Sequence, residues 1–164
     1  MPLIKKMMVA LGFSDYAPEI FKFATQLATQ LDADLVVADI INERDVAAVE
    51  SIVALGYEVD GEHYVSSIQE ERQQLLDQYL TETGFPGKRL ETVFKVGNPI
   101  EELLKIIIEQ DVQMVVMGVK GRSDLQRALV GSVAEKMFRR SPVTVVSFRD
   151  SKNARRLRKR INVD

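Results

Sequence analysis

The feature that most constrains this chain is an alternation. Short apolar runs take turns with longer segments whose apolar residues recur every three to four positions. Lys5 to Leu11, Leu35 to Ile41, Arg89 to Val96, Met114 to Met117 and Val143 to Phe148 read as strands. Between the first two lie Ile20, Phe23, Ala24, Leu27, Ala28 and Leu31, the stripe of an amphipathic helix that opens near Pro18. Val46, Val49, Ile52 and Val53 predict a helix over 45–55. Ile68, Leu75, Leu76, Tyr79 and Leu80 predict a longer one over 66–83, ended by the turn Gly84 to Lys88. Ile100, Leu103, Leu104, Ile107 and Ile108 predict a fourth helix after Pro99, and Ser132 to Arg140 a last one. Most of the strands are continuously apolar, so they belong to a parallel sheet covered on both faces, an α/β doubly wound arrangement. Ligands of such sheets sit at the carboxyl ends of the strands, where strand order reverses.

A chain of 164 residues, 46% hydrophobic and 28% charged, fits one globular domain able to fold without metal or disulfide. It has no cysteine, which removes disulfides, thiolate zinc sites and cysteine catalysis. No run approaches the length of a membrane span, and the N-terminal apolar run is too short for a signal peptide. The expected location is the cytoplasm. Net charge is −2, but Lys152, Arg155, Arg156, Arg158, Lys159 and Arg160 are all basic, so the remainder stands near −8. We therefore divide the chain into a domain over 1–150 and a basic tail over 151–164. The tail is expected to be unstructured and solubilising, with contact to nucleic acid or an anionic surface as the alternatives.

The segment with chemical content is MGVKGRSDLQRALVGSVAEKM, which follows the fourth strand directly. Gly118, Gly121 and Gly131 permit close backbone approach to a ligand. Their amides, with those at the start of the helix opened by Ser132 and Val133, form a concavity suited to phosphate. The Ser132 hydroxyl can donate to a phosphate oxygen, and Lys120 and Arg122 supply positive charge. The chain contains neither a Walker G-x-x-x-x-G-K-[ST] loop nor a dinucleotide G-x-G-x-x-G. At ordinary residue frequencies the spacing G-x2-G-x9-G-[ST] arises by chance in roughly 0.6% of chains this long.

This spacing resembles the ATP-binding signature of the universal stress protein family. The likeness extends over about residues 4–148. Val96-Gly97-Asn98-Pro99 is similar to the opening of that family's third helix, and Ser141 to Val146 to its closing strand. The resemblance implies a five-stranded parallel sheet in the order 3-2-1-4-5, helices on both faces, and a homodimer formed through the last strand. It implies Gly118, Gly121, Gly131 and Ser132 around phosphates and ribose. It also implies an adenine pocket lined by the end of the first strand and by Ile40, and we count Gly12 and Met117 among the candidate contacts. The ligand expected is ATP or another adenine nucleotide, with or without magnesium. In one respect the sequence departs: Gly12 stands where nucleotide-binding members carry an aspartate. Asp15 is read as a helix cap, and Asp39 as a solvated strand-end acid, with substitution for the missing aspartate as its alternative role.

Other polar residues have simpler readings. His63 is the only histidine and is read as a surface loop residue. Glu70-Glu71-Arg72 is read as a solvated helix face, and Glu101 and Glu102 as complements to a helix dipole. With no nucleophile–base pair and no metal site evident, no catalytic residue is assigned, and at most slow ATP hydrolysis or autophosphorylation is expected. Two function classes stay open: a nucleotide-binding regulatory stress-response protein, and a dimeric scaffold on the same fold that binds no nucleotide.

Overall fold

The computed structural model describes residues 3–56, 60–119 and 132–163. Five parallel strands form one sheet in the order β3-β2-β1-β4-β5. They are β1 (Lys6–Ala10), β2 (Asp34–Asn42), β3 (Leu90–Gly97), β4 (Met114–Gly118) and β5 (Thr144–Phe148). The helices are α1 (Ala17–Leu31), α2 (Glu43–Val53), α3 (Gly61–Thr83), α4 (Pro99–Glu109), α5 (Ser132–Arg140) and α6 (Ser151–Arg158). Strand order reverses at β1, which pairs with β2 on one side and β4 on the other.

Each strand of the sheet centre is buried on both faces, which is why it reads as continuously apolar. Met7 and Val9 of β1 and Leu11, the residue after it, pack with Phe21, Ala24 and Ala28 of α1 and Leu76 and Tyr79 of α3. Met8 faces the other way, toward Ile100, Leu103, Ile106 and Ile107 of α4 and Ala134 and Met137 of α5. The α4 stripe is stopped cleanly at its start, where the Asn98 side chain accepts from the Glu101 amide and Pro99 occupies the first turn. On α1 the buried stripe is centred on Phe21, while Phe23 lies toward its margin and stacks on Phe148 with ring centroids 5.1 Å apart.

Three boundaries depart from the sequence reading. Helix α3 begins at Gly61, because Asp60 caps it by accepting from the His63 amide at 2.6 Å; His63 is thus a first-turn helix residue rather than a loop residue. Asp15 does not cap α1, whose N-cap position is Tyr16 with no side-chain cap bond. The end of the chain, expected without structure, carries α6. Asp150 accepts from the Asn153 amide at 2.9 Å and from Asn153 Nδ2 at 2.6 Å, and the Ser151 amide donates to Glu19 of α1 at 3.2 Å. An isolated helix of this length is marginal in water, and these ties give it a fixed start. No described helix is long and apolar enough to cross a membrane.

Candidate functional site

The switch point lies between the carboxyl ends of β1 and β4, and the candidate residues gather there by strand parity. Ala10 is in register with Ala38 of β2 and Met117 of β4. Ile40 stands two residues beyond Ala38, on the same face. Ala10, Ile40 and Val133 pack against the cluster that contains Met117, which is itself buried. Four elements therefore meet at one end of the α4/α5 face: β1, β2, β4 and the first turn of α5. Val133 reaches this face from α5, whose opening residue Ser132 is exposed. Gly118 ends β4 opposite Phe148 of β5. Lys120, Gly121, Arg122 and Gly131 lie outside the described residues.

Gly12 follows β1 and is exposed. Among the described residues nothing lies within 4 Å of a Cβ placed on it, and its backbone is not left-handed. Neither space among the described residues nor conformation demands glycine there. Gly97 is different: a Cβ would stand 2.8 Å from Glu102 Cγ, so its bareness lets α4 dock closely on the end of β3. Glu102 is held there by Lys105 at 2.7 Å and Lys95 at 3.8 Å, while Glu101 pairs with Arg140 of α5 at 2.7 Å. These two acids join elements, a role beyond complementing the helix dipole.

The residue after Gly12 is held in an uncommon way. Phe13 has φ +50°, a conformation that costs about 1–3 kcal/mol for a residue with a side chain. The Arg72 guanidinium lies 5.3 Å from its ring centroid and pairs with Asp39 at 2.5 Å. Both charged groups are buried, Asp39 at 3% and Arg72 at 9% exposure. This corrects two sequence readings. Asp39 is not solvated: it points to the α1/α3 face, away from Ile40, and so cannot serve as the base-facing carboxylate that Gly12 lacks. Arg72 is not on a solvated face. Burial pushes the Asp39 carboxyl above its ordinary value, against the pull of Arg72. A strained loop end, a stacked cation and a buried acid together fix the chain where it leaves β1.

On the α1 side of the β4 and β5 ends there is a cleft of about 180 Å³. Tyr16 and Ile20 form one wall, and Arg156 and Leu157 of α6 the other. Sequence reading missed it because it depends on α6. Among the described residues no three acidic or histidine side chains converge on a metal position.

A family model described as the universal stress protein family matches residues 3–149. The chain is similar to universal stress protein YxiE of Bacillus subtilis, at 28% identity over 150 residues, covering 88% of this chain and 99% of that protein. Solved structures agree in fold. MJ0577, a protein of Methanocaldococcus jannaschii, superposes with a TM-score of 0.70 at 24% identity, covering 92% of this chain and 100% of that one. A universal stress protein in complex with cAMP gives 0.60 at 20% identity, with 90% and 98% covered. The universal stress protein of Archaeoglobus fulgidus in complex with dAMP gives 0.53 at 16% identity, with 91% and 100% covered.

Proposed function

Because the chain belongs to the universal stress protein family, we propose that it is a regulatory protein that binds an adenine nucleotide, ATP among them, and turns it over slowly or not at all. The observation that carries this reading is that Ile40 and Val133 pack, with Ala10 near the end of β1, against the apolar cluster that contains Met117. The adenine sits on this apolar patch. The phosphates lie along the segment from Gly118 through Lys120, Gly121 and Arg122 to Gly131 and Ser132, where main-chain amides and the helix N-terminus favour negative charge. Complexes of relatives with cAMP and dAMP support the choice of adenine. Magnesium, where present, comes with the phosphates, because it retains most of its waters and needs few protein carboxylates. Occupancy of the site changes the surface offered to partners, and the chain works as a homodimer in the cytoplasm.

Calorimetric titration of ATP and AMP into the purified chain tests the reading. Saturable heat and a rise in melting temperature are expected, both abolished in Gly121→Val and Gly131→Val, because a β-branched side chain blocks backbone approach. Absence of heat and of any thermal shift at millimolar ligand rejects it.

A second reading has one observation in its favour. Gly12 lacks the carboxylate of nucleotide-binding members, although a side chain there would meet no described atom within 4 Å. On this reading the chain is a dimeric scaffold that binds no nucleotide. A crystal grown without added nucleotide decides: density for a nucleotide beside Met117 and Ser132 removes the scaffold reading.

A further inference from the structure

The cleft beside α6 lies on the opposite sheet face from Ile40 and Met117. Its inner surface is apolar, built from Ile20 of α1, Val119 and Phe148 at the ends of β4 and β5, and Leu157 of α6. Arg149 and Arg156 stand at its rim, both exposed. Among the described residues neither guanidinium has an acidic partner within salt-bridge distance. Among the described residues the one acid lining the cleft is Asp150, 6% exposed, which caps α6 with one oxygen and accepts from the Asn153 side chain with the other. Among those residues the cleft thus combines a greasy floor with positive charge that no acid pairs. At about 180 Å³ it is below the usual range of about 300–1,000 Å³ for drug-sized ligands, so it suits a small ring or a short chain rather than a whole nucleotide.

We propose that this cleft is a second ligand site, taking a small amphipathic anion. An aromatic or short aliphatic body rests on Ile20, Val119, Phe148 and Leu157, and a carboxylate or phosphate head meets Arg149 and Arg156. A planar guanidinium offers either head paired donors in matching geometry. Helix α6 lies past the residues matched by the family model, which end at 149, so the wall that Arg156 and Leu157 form is outside the matched residues, while Ile20, Val119, Phe148 and Arg149 are within them. Ligand binding here would tie α6 to α1 and leave the nucleotide-facing side of the sheet untouched.

The experiment uses the full chain and four probes followed by calorimetry: phenylacetate, phenyl phosphate, inorganic phosphate and benzyl alcohol. Saturable binding of phenylacetate or phenyl phosphate, with none of inorganic phosphate or benzyl alcohol, is the expected result, and the tighter of the two names the head group. Arg156→Ala should weaken the bound probe about tenfold, the scale of one charge-assisted hydrogen bond. Leu157→Ala should weaken it severalfold, while alanine keeps α6 helical. Failure of both aromatic anions to saturate at millimolar concentration overturns the proposal, as does binding unchanged in both variants. Competition between ATP and the probe also overturns it, because the cleft would then be part of the nucleotide site.

Discussion

At Gly12 the chain omits a carboxylate that would meet no described residue. A side chain there meets no described atom within 4 Å, so Gly12→Asp should fold normally. If the patch beside it holds adenosine, the new carboxylate gains a charge-assisted hydrogen bond, and ATP should bind about tenfold tighter by calorimetry. Unchanged affinity would separate Gly12 from the ligand. A few residues away, Arg72 neutralises Asp39 in a buried setting. Arg72→Met leaves that acid alone and should cost about 3–5 kcal/mol by urea unfolding, whereas Arg72→Met with Asp39→Val should recover most of the loss. A cost below about 1 kcal/mol would mean that the pair is solvated. The Asp39 carboxyl is raised from 3.8, chiefly by burial. Just above pH 3.8 the folded chain therefore holds this proton more tightly than the unfolded chain does. Its contribution to stability is greatest below 3.8 and is lost as pH rises through the folded value. The stability of the native chain minus that of Asp39→Asn should fall across that window, and a flat difference would contradict the buried carboxyl. The pair spans 33 residues of sequence, and both partners looked solvated when read locally. The signal was there in the periodicity: Asp39 alternates with Val37 and Ile41, and Arg72 lies four residues before Leu76 and seven before Tyr79, all buried.

The elements were legible in proportion to how much apolar surface they commit. Four helices and the three central strands bury regular stripes, the edge strands β3 and β5 are half-covered, and periodicity placed them all within a few residues. Helix α2 was found although none of its residues is buried, because Val46, Val49 and Val53 still share its half-covered side. Its Ile52, and Leu55 just past its end, remain 48% and 79% exposed. Helix α6 was not found. It is almost wholly polar, and its inward contacts reduce to Leu157 and half-buried Asn153 and Ala154. A signal did exist in Asp150, an acid placed to cap a run of good helix formers. Asp150→Ala should remove that cap, cost about 1 kcal/mol, and release the amides of 151–154 to fast hydrogen exchange. Unaltered protection there would show that packing, not the cap, holds α6. The segment proposed to hold phosphate was read from its glycine spacing; the described residues that flank it are Gly118 of β4 and Ser132 of α5.

The whole molecule presents two open sheet edges, β3 and β5, and they are not equivalent. Glu91 and Lys95 punctuate β3, and both form side-chain bonds to α4 or the turn that follows it, Lys95 to Glu109 at 2.9 Å and Glu91 to Gln110 at 3.1 Å. Charge on an edge strand resists pairing with another chain. The edge of β5, TVVSF, carries none. Unpaired amides and carbonyls on an uncharged edge form a template for a second strand, so β5 is the edge through which two copies should join. Sedimentation equilibrium should find a homodimer. Ser147 is exposed on β5, so Ser147→Lys should leave the protomer folded while bringing two like charges near one another across a symmetric strand pair. Dissociation should become measurable at micromolar concentration and increase further at low salt, where the repulsion is less screened. The same charge placed on β3, as Thr92→Lys, should not alter assembly. A dimer indifferent to Ser147→Lys but broken by Thr92→Lys would move the interface to the opposite edge. In that arrangement the interface would lie beside Ile40 and its patch rather than beside Phe148 and the α6 cleft.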